Sequence, residues 1–292
     1  MRVHVIAVPF DSGLHETRMG RGPRAILDGG LRERLEDVGA EVHLTVVEPP
    51  SSQFPSEIAM AAALQREVAA LVTAARRGGA FPLVLSGNCN TSVGTVSGLL
   101  AAQAAMPVVC WFDAHGDFNT PETSTSGFLD GMALSMLAGD CWRPLASSLP
   151  GYRPVPTSRV VLIGARDVDA AEARRLDASK ILRVGVTDVG AGLERALGSV
   201  PDADEVYLHV DLDVLDPSEG RVNAYNAGAG LTREALHDAI DRISRRWRIA
   251  AMALTAYDPD GDPERRIARL AVELASSVVA GEREERSGSG TT

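Results

Sequence analysis

Short, nearly continuous apolar runs recur along the chain, each closed by a polar or glycine-containing stretch. RVHVIAV (2–8), EVHLTVV (41–47), PLVLS (82–86), PVVCWFD (107–113), RVVLIG (159–164), ILRVG (181–185), VYLHVDLD (206–213) and IAAMALT (249–255) are rich in β-branched residues. They do not alternate strictly with polar positions, which predicts strands covered on both faces. Between them, apolar positions recur at helical spacing over 57–77, 91–104, 129–138, 168–178, 232–245 and 263–279. Eight strands alternating with helices predict an α/β fold, a three-layer αβα arrangement around a mainly parallel eight-stranded sheet. No repeat or interior linker interrupts the pattern, so 1–280 reads as one domain. PPSSQFPSE (49–57) reads as a loop, and GEREERSGSGTT (281–292) as a disordered C-terminal tail.

Composition narrows the function classes. A chain of 292 residues buries enough surface to fold without disulfides or a structural metal. Its net charge of −10 leaves no basic excess to neutralise phosphates, so neither nucleic acid nor an anionic membrane is expected as a partner. No uncharged window of about 18 residues is present, so no membrane span is expected. MRVHVIAVPF runs straight into a β-like segment without a charged n-region and cleavage site, so secretion is not expected. Cys89, Cys110 and Cys141 are odd in number and irregularly spaced, which predicts free thiols and a reducing cytoplasm. Cys110 and Cys141 lie in or beside apolar segments and read as core residues.

In an open parallel sheet, ligands collect outside the carboxyl ends of the strands, and polar residues cluster there. The fourth run leads into Asp113-Ala114-His115-Gly116-Asp117-Phe118-Asn119. A side-chain period of two puts Asp113, His115 and Asp117 on one side if the extended form persists. The seventh run ends His209-Val210-Asp211-Leu212-Asp213, with Asp211 and Asp213 sharing a face in the same way. Carboxylates gathered without Lys or Arg repel one another unless a cation neutralises them. Carboxylate with imidazole suits a manganese-like or zinc-like ion. For either motif alone, solvated strand-end acids are the alternative.

DAHGDFN (113–119) and DLDVLDP (211–217) resemble the paired metal motifs of the arginase–agmatinase, or ureohydrolase, family. Pro9-Phe10 with Gly20-Arg21-Gly22-Pro23, SGNCN (86–90), TPETSTSG (120–127) and IGARDVD (163–169) are similar to further family segments, in the family's order. The resemblance implies a binuclear metallohydrolase that cleaves a C–N bond of a small guanidino, amidino or ureido compound with an amino-acid-like end. It implies two divalent ions, usually manganese, and a homo-oligomer, trimer or hexamer. Asp113 and Asp211 would bridge the ions, Asp117 would complete one, and His115 and Asp213 the other. Such a pair makes hydroxide available near neutral pH, and Asp117 can hold and pass on its proton. His209 reads as a supporting or core residue.

Three positions depart from the family pattern. Cys89 stands where the family has its first metal-binding histidine, so it is either a ligand that favours zinc or iron over manganese or the mark of a lost site. The hydroxyarginine amidinohydrolase branch is similar here and through HGDFNTPET. Asp130 replaces a proton-shuttling histidine; it could act as an acid if its pKa is raised, or bind a cationic group. Ala256 occupies the position of the glutamate that grips a guanidinium group, so a modified substrate is expected before arginine itself. Asn119 and Ser126 match positions that bind an α-carboxylate, while Asp169 matches the acceptor of the α-ammonium group, with Glu172 one helical turn on as a further substrate-site residue. A structural loop role is the alternative for these, with Arg166 and Asp167 as a conformational lock. Two rivals remain: a non-catalytic or metal-depleted arginase-fold binding or assembly protein, and metal-dependent deacylation.

Overall fold

The computed structural model describes residues 1–48, 56–102 and 105–288. Its strands are β1 (Arg2–Val8), β2 (Phe10–Asp11), β3 (Leu14–His15), β4 (Glu41–Val46), β5 (Phe81–Ser86), β6 (Val108–Phe112), β7 (Val160–Ile163), β8 (Leu182–Val184), β9 (Glu205–Asp211) and β10 (Arg248–Thr255). The eight expected strands form one sheet in the order β4-β1-β5-β10-β9-β6-β7-β8. Every neighbouring pair is parallel. β2 and β3 form a separate antiparallel hairpin of two residues per strand, too short to leave a periodic signal.

The helices are α1 (Gly22–Asp28), α2 (Leu31–Asp37), α3 (Glu57–Arg77), α4 (Thr91–Ala102), α5 (Ala133–Ala138), α6 (Arg143–Ala146), α7 (Ala170–Ala178), α8 (Val189–Ser199), α9 (Arg233–Ser244) and α10 (Arg266–Gly288). Alternate side chains of the central strands feed two cores. Val108, Cys110 and Phe112 pack with Leu31, Leu193, Leu236 and Leu270 of α2, α8, α9 and α10. Val109 and Trp111 face the other way, with Val68, Val96 and Leu134 of α3, α4 and α5. This is the expected three-layer arrangement, because a parallel sheet must be covered on both sides.

Local chemistry sets the helix limits. Ser56 accepts the Ala59 N–H at the start of α3, and Arg76 and Arg77 lie in its last turn, complementing the helix dipole. Among the described residues, α3 is long and apolar enough to cross a membrane. It carries Arg66 and Glu67 at its middle and buries Leu64, Val68 and Val72 in the core shared with α4. The segment 129–138 begins as a 3₁₀ turn over Asp130–Met132 before α5.

The boundary at 280 needs correction. α10 continues to Gly288, and the buried Glu282 carboxylate accepts the Ile249 N–H at the start of β10. The charged run GEREER resembles a tail in composition, yet one of its acids faces inward and satisfies a strand backbone group. Positions 49–55 of the expected loop, 103–104 of the expected helix and 289–292 of the expected tail lie outside the described residues.

The topology positions the site. The chain leaves β5, passes over β10 and β9 to reach β6, and returns to them only later. The crevice formed where strand order doubles back is where an open α/β sheet binds ligands.

Candidate metal centre and substrate cavity

Neither metal motif stays extended. β6 ends at Phe112 and β9 at Asp211, and both motifs then turn by the same device. Asp113 Oδ1 accepts the His115 N–H at 2.7 Å, and Asp211 Oδ1 accepts the Asp213 N–H at 2.8 Å. A carboxylate that captures the N–H two residues on replaces the next strand hydrogen bond, so convergence comes from these turns and not from the pleat. The motifs are also tied together, since the Ala114 N–H donates to Asp213 Oδ1 at 3.2 Å. Beneath them, the Trp111 indole N–H donates to Asp113 Oδ2 at 3.0 Å.

Two props hold the turns. The Arg166 guanidinium donates to the carbonyls of Gly164, Asp213, Leu215, Ala227 and Gly228, a clamp on the segment after β9. Glu172 Oε1 accepts the Phe118 N–H at 2.7 Å. A Cβ on Gly116 would sit 2.6 Å from that oxygen, so glycine is what lets the loop close on Glu172. The next residue, Asp117, has φ of 48°, left-handed backbone that a residue with a Cβ rarely adopts without support.

Two sets of donor atoms come together. Asp113, His115 and Asp213 offer atoms within 4.8 Å of one another, and so do Cys89, Asp113 and His209. His115 Nδ1 lies 3.3 Å from Asp113 Oδ1 and 3.4 Å from Asp213 Oδ2. Cys89 Sγ lies 3.0 Å from Asp211 Oδ2. Asp117 Oδ2 is buried with no hydrogen-bond partner, a costly position for a carboxylate oxygen unless a cation meets it. Oxygen and imidazole donors in one set, and a thiol in the other, fit divalent ions of different softness.

The electrostatics agree. Burial, reinforced by neighbouring carboxylates, pushes Asp117 and Asp211 well above the usual carboxylate range. Burial acts the same way on Asp213, but hydrogen bonding and charge from His115 outweigh it and hold Asp213 low. Burial opposes charge on His115, yet its bonds to Asp113 and Asp213 raise it to about 12. Burial, then Asp211, pushes the Cys89 thiol well up. Burial pushes His209 well down, which keeps the imidazole neutral.

All the expected site residues except Asp113, which lies beneath, line one cavity of about 290 Å³. Its lining includes seven carboxylates and no Lys or Arg. Ser126 and Asp169 are exposed at the mouth, where Ser126 Oγ accepts the Phe128 N–H and Asp169 Oδ2 accepts from Thr125 Oγ1 at 3.4 Å. Asn119 Oδ1 accepts from Thr123 Oγ1 at 2.9 Å. Glu172 is buried, with its pKa raised to about 7 mainly by that burial. Its bond to Phe118 makes it a prop of the metal loop as well as part of the wall.

Asp130 is buried and accepts from Asn88 Nδ2 at 2.6 Å and from Asn90 N and Nδ2 at 2.9 Å. Burial raises it to about 7, although the asparagine hydrogen bonds pull the other way. The two asparagines flank Cys89, so Asp130 also fixes the turn that carries the thiol. Ala256 lines the cavity with φ of 63°. Its N–H donates to the Ser86 carbonyl and its carbonyl accepts from Asn223 Nδ2, so only its methyl is left for the wall.

Sequence reasoning passed over Asn88, Asn90, Asn223 and Thr255. The asparagines of SGNCN were visible beside Cys89. Asn223, which donates to Asp213 Oδ2 at 3.3 Å, lies in a loop that offers no motif. His209 comes closer to Cys89 and Asp113 than a core residue requires.

The arginase family model matches residues 1–281. Arginase of Bacillus caldovelox is 32% identical over 297 aligned residues, covering 94% of this chain and 97% of that protein. Arginase of Bacillus subtilis is 30% identical, covering 95% and 97%. The crystal structure of arginase from Bacillus cereus superposes with a TM-score of 0.87 at 29% identity, covering 96% of this chain and 98% of that one. On this evidence the chain belongs to the arginase family of hydrolases.

Proposed function

We propose that the protein hydrolyses a C–N bond of a small guanidino, amidino or ureido compound with an amino-acid-like end, with two divalent metal ions in its centre. The observation that carries this reading is the convergence of Asp113, His115, Asp117, Asp211 and Asp213 at the carboxyl edge, with a buried, unpartnered oxygen on Asp117. Asp113, His115 and Asp213 would hold one ion, Cys89 and Asp117 the other, with Asp113 and Asp211 shared. Such ions supply an acidified water and neutralise the carboxylates around it. Manganese suits the oxygen-rich half, while the thiol admits zinc or iron.

The chain's own residues divide the remaining work. Asp117 Oδ2, free of protein donors, can accept a proton beside the reacting carbon. Asp130, raised to about 7, can return a proton to the leaving nitrogen. Asn119 and Ser126 offer hydrogen bonds to an α-carboxylate, and the exposed Asp169 offers charge to an α-ammonium group. At Ala256 the wall presents a methyl, so a neutral or weakly basic end suits it better than the cation of arginine. The acidic charge and buried free thiols support a small-molecule substrate, without nucleic acid or membrane partner, in a reducing cytoplasm. Assembly as a trimer or hexamer completes the proposal.

Elemental analysis of purified protein, followed by a screen of guanidino, hydroxyguanidino and ureido amino acids, tests the reading. Two ions per chain and release of an amine from a modified substrate, faster than urea from arginine, are expected. Two ions without turnover would favour a binding or assembly protein. A chain that binds no divalent ion would sink the proposal.

A further inference from the structure

The side-chain period puts Tyr207, His209 and Asp211 on one face of β9, and Trp111 on the same face of β6, with Asp113 just past the end of β6 and bonded to the Trp111 indole N–H. Trp111 and His209 are register partners, and their rings stack with centroids 3.5 Å apart and 15° between planes. The His209 imidazole is therefore fixed directly below Asp211. Its Nδ1 lies 2.9 Å from Ser92 Oγ, which also accepts the Tyr207 hydroxyl at 2.8 Å. Its Nε2 has only a long contact, 3.4 Å, to Thr255 Oγ1. That same hydroxyl lies 3.2 Å from Cys89 Sγ, so the ring nitrogen and the sulfur flank one small group.

We propose that His209 is a metal ligand, its Nε2 joining Cys89 Sγ and an Asp113 oxygen in a buried thiolate–imidazole–carboxylate site that prefers a zinc-class ion to manganese. The proposal rests on the reading that this centre holds divalent metal. Two observations point to a ligand there. The three donor groups lie within 4.8 Å of one another, and all three residues are buried. Independently, Asp117, whose Oδ2 is buried without a hydrogen-bond partner, lines the same cavity as Cys89 and Asp211.

The surroundings of the ring suit ligation. With Tyr207 donating into Ser92, the Ser92 oxygen can also accept from Nδ1–H, and that tautomer leaves the Nε2 lone pair facing Thr255 and Cys89. A hydrogen bond from the far ring nitrogen is how a metal-binding imidazole is oriented. Ser92 is then a positioning residue. Ligation releases the Cys89 proton to solvent, and thiolate with imidazole favours Zn(II), Co(II) or Fe(II) over Mn(II). Asp113 appears in both donor sets, so it joins this inner site to the one at His115.

Wild-type protein loaded with ¹¹³Cd gives the direct test by NMR. Two cadmium resonances are expected, and the one coupled to the Cys89 β-protons should also couple to imidazole ring protons. A thiolate-bound cadmium without any imidazole coupling overturns the proposal. Competition titrations add a second reading. His209→Gln should weaken zinc at one site beyond the roughly 10–100-fold that follows loss of a supporting partner, and Ser92→Ala should fall inside that range. Two ions with unchanged affinity in His209→Gln remove this inference and leave the proposed function standing. No metal in the wild type removes both. Should His209→Gln fail to fold, the cadmium spectrum of the wild type still decides.

Discussion

The two proposed halves of the centre share Asp113 and Asp211 and differ in their other donors and in burial. On one side His115 lies between two carboxylates with 28% of its side chain exposed, and its donors are nitrogen and oxygen. On the other, Cys89 and His209 are buried at 2% and 0% exposure, Cys89 in the cavity wall and His209 stacked on Trp111. The first half is built by turns that strand-end aspartates impose on their own backbone. The second is built by side-chain packing from β5, β6, β9 and β10. Donor softness and burial therefore change together: the proposed outer half suits a harder ion, and the proposed inner half a softer one.

The largest effect should come from breaking what the halves share. Asp113→Ala removes an oxygen common to both donor sets. It should release both ions and cut turnover by about a thousandfold or more, as when one member of a group acting as a unit is deleted. Asp211→Ala should behave alike, because its carboxylate meets Cys89 on one side and caps Asp213 on the other. Elemental analysis that still finds one ion in Asp113→Ala would show that the halves are independent.

The next effects separate them. His115→Ala should lose the outer ion and keep the inner one, whereas Cys89→Ala should do the reverse. Cys89→His replaces a soft donor with a borderline one, so manganese affinity should rise and peroxide sensitivity fall. Stoichiometry for all three variants checks this. If both Cys89 variants bind the same number of ions with the same affinity as the wild type, Cys89 is packing and the inner half holds no metal.

That asymmetry also marks what could be read in the chain. The sheet was legible because a parallel sheet covered on both faces demands continuous apolar strands, as in VVCWF and VYLHV. The outer half was legible because Asp113 and His115, and likewise Asp211 and Asp213, are close neighbours in sequence, each pair at a strand end, and their turns are local. The inner half depends on register between strands distant in sequence: that His209 pairs with Trp111, and that Thr255 of β10 reaches both His209 and Cys89. A period of two places His209 on the correct face, yet only the packed sheet shows what faces it. At the C-terminus, composition misled outright. The run after 280 reads as solvated, and the contact from Glu282 to Ile249 is a single inward-facing carboxylate that no periodicity reveals.

A moderate effect is expected from pH. The Asp130 carboxyl is raised to about 7, so its acid form is populated below that value and lost as pH rises through it. If Asp130 gives the proton to the leaving nitrogen, kcat should fall above about pH 7, and Asp130→Asn should flatten that limb while lowering the plateau roughly a hundredfold. Because Asp130 also anchors Asn88 and Asn90 around Cys89, the same variant should loosen the inner ion and spare the outer. A flat pH profile in the wild type would leave Asp130 only the anchoring role.

The smallest effect belongs to the mouth of the cavity, which supplies none of the proposed metal donors. Ser126 is exposed, and its Oγ accepts only the Phe128 N–H within its own loop. If Ser126 binds the α-carboxylate as proposed, Ser126→Ala removes one hydroxyl–carboxylate hydrogen bond, worth about 1.5 kcal/mol at this exposed mouth, so KM should rise roughly 10-fold. Turnover and metal content should not change, since the contact is made equally before and during reaction. The control is a substrate lacking its α-carboxylate, against which wild type and variant should be indistinguishable. A fall in kcat with KM constant would show that the loop acts on the chemistry at the ions, and the division between mouth and centre would then fail.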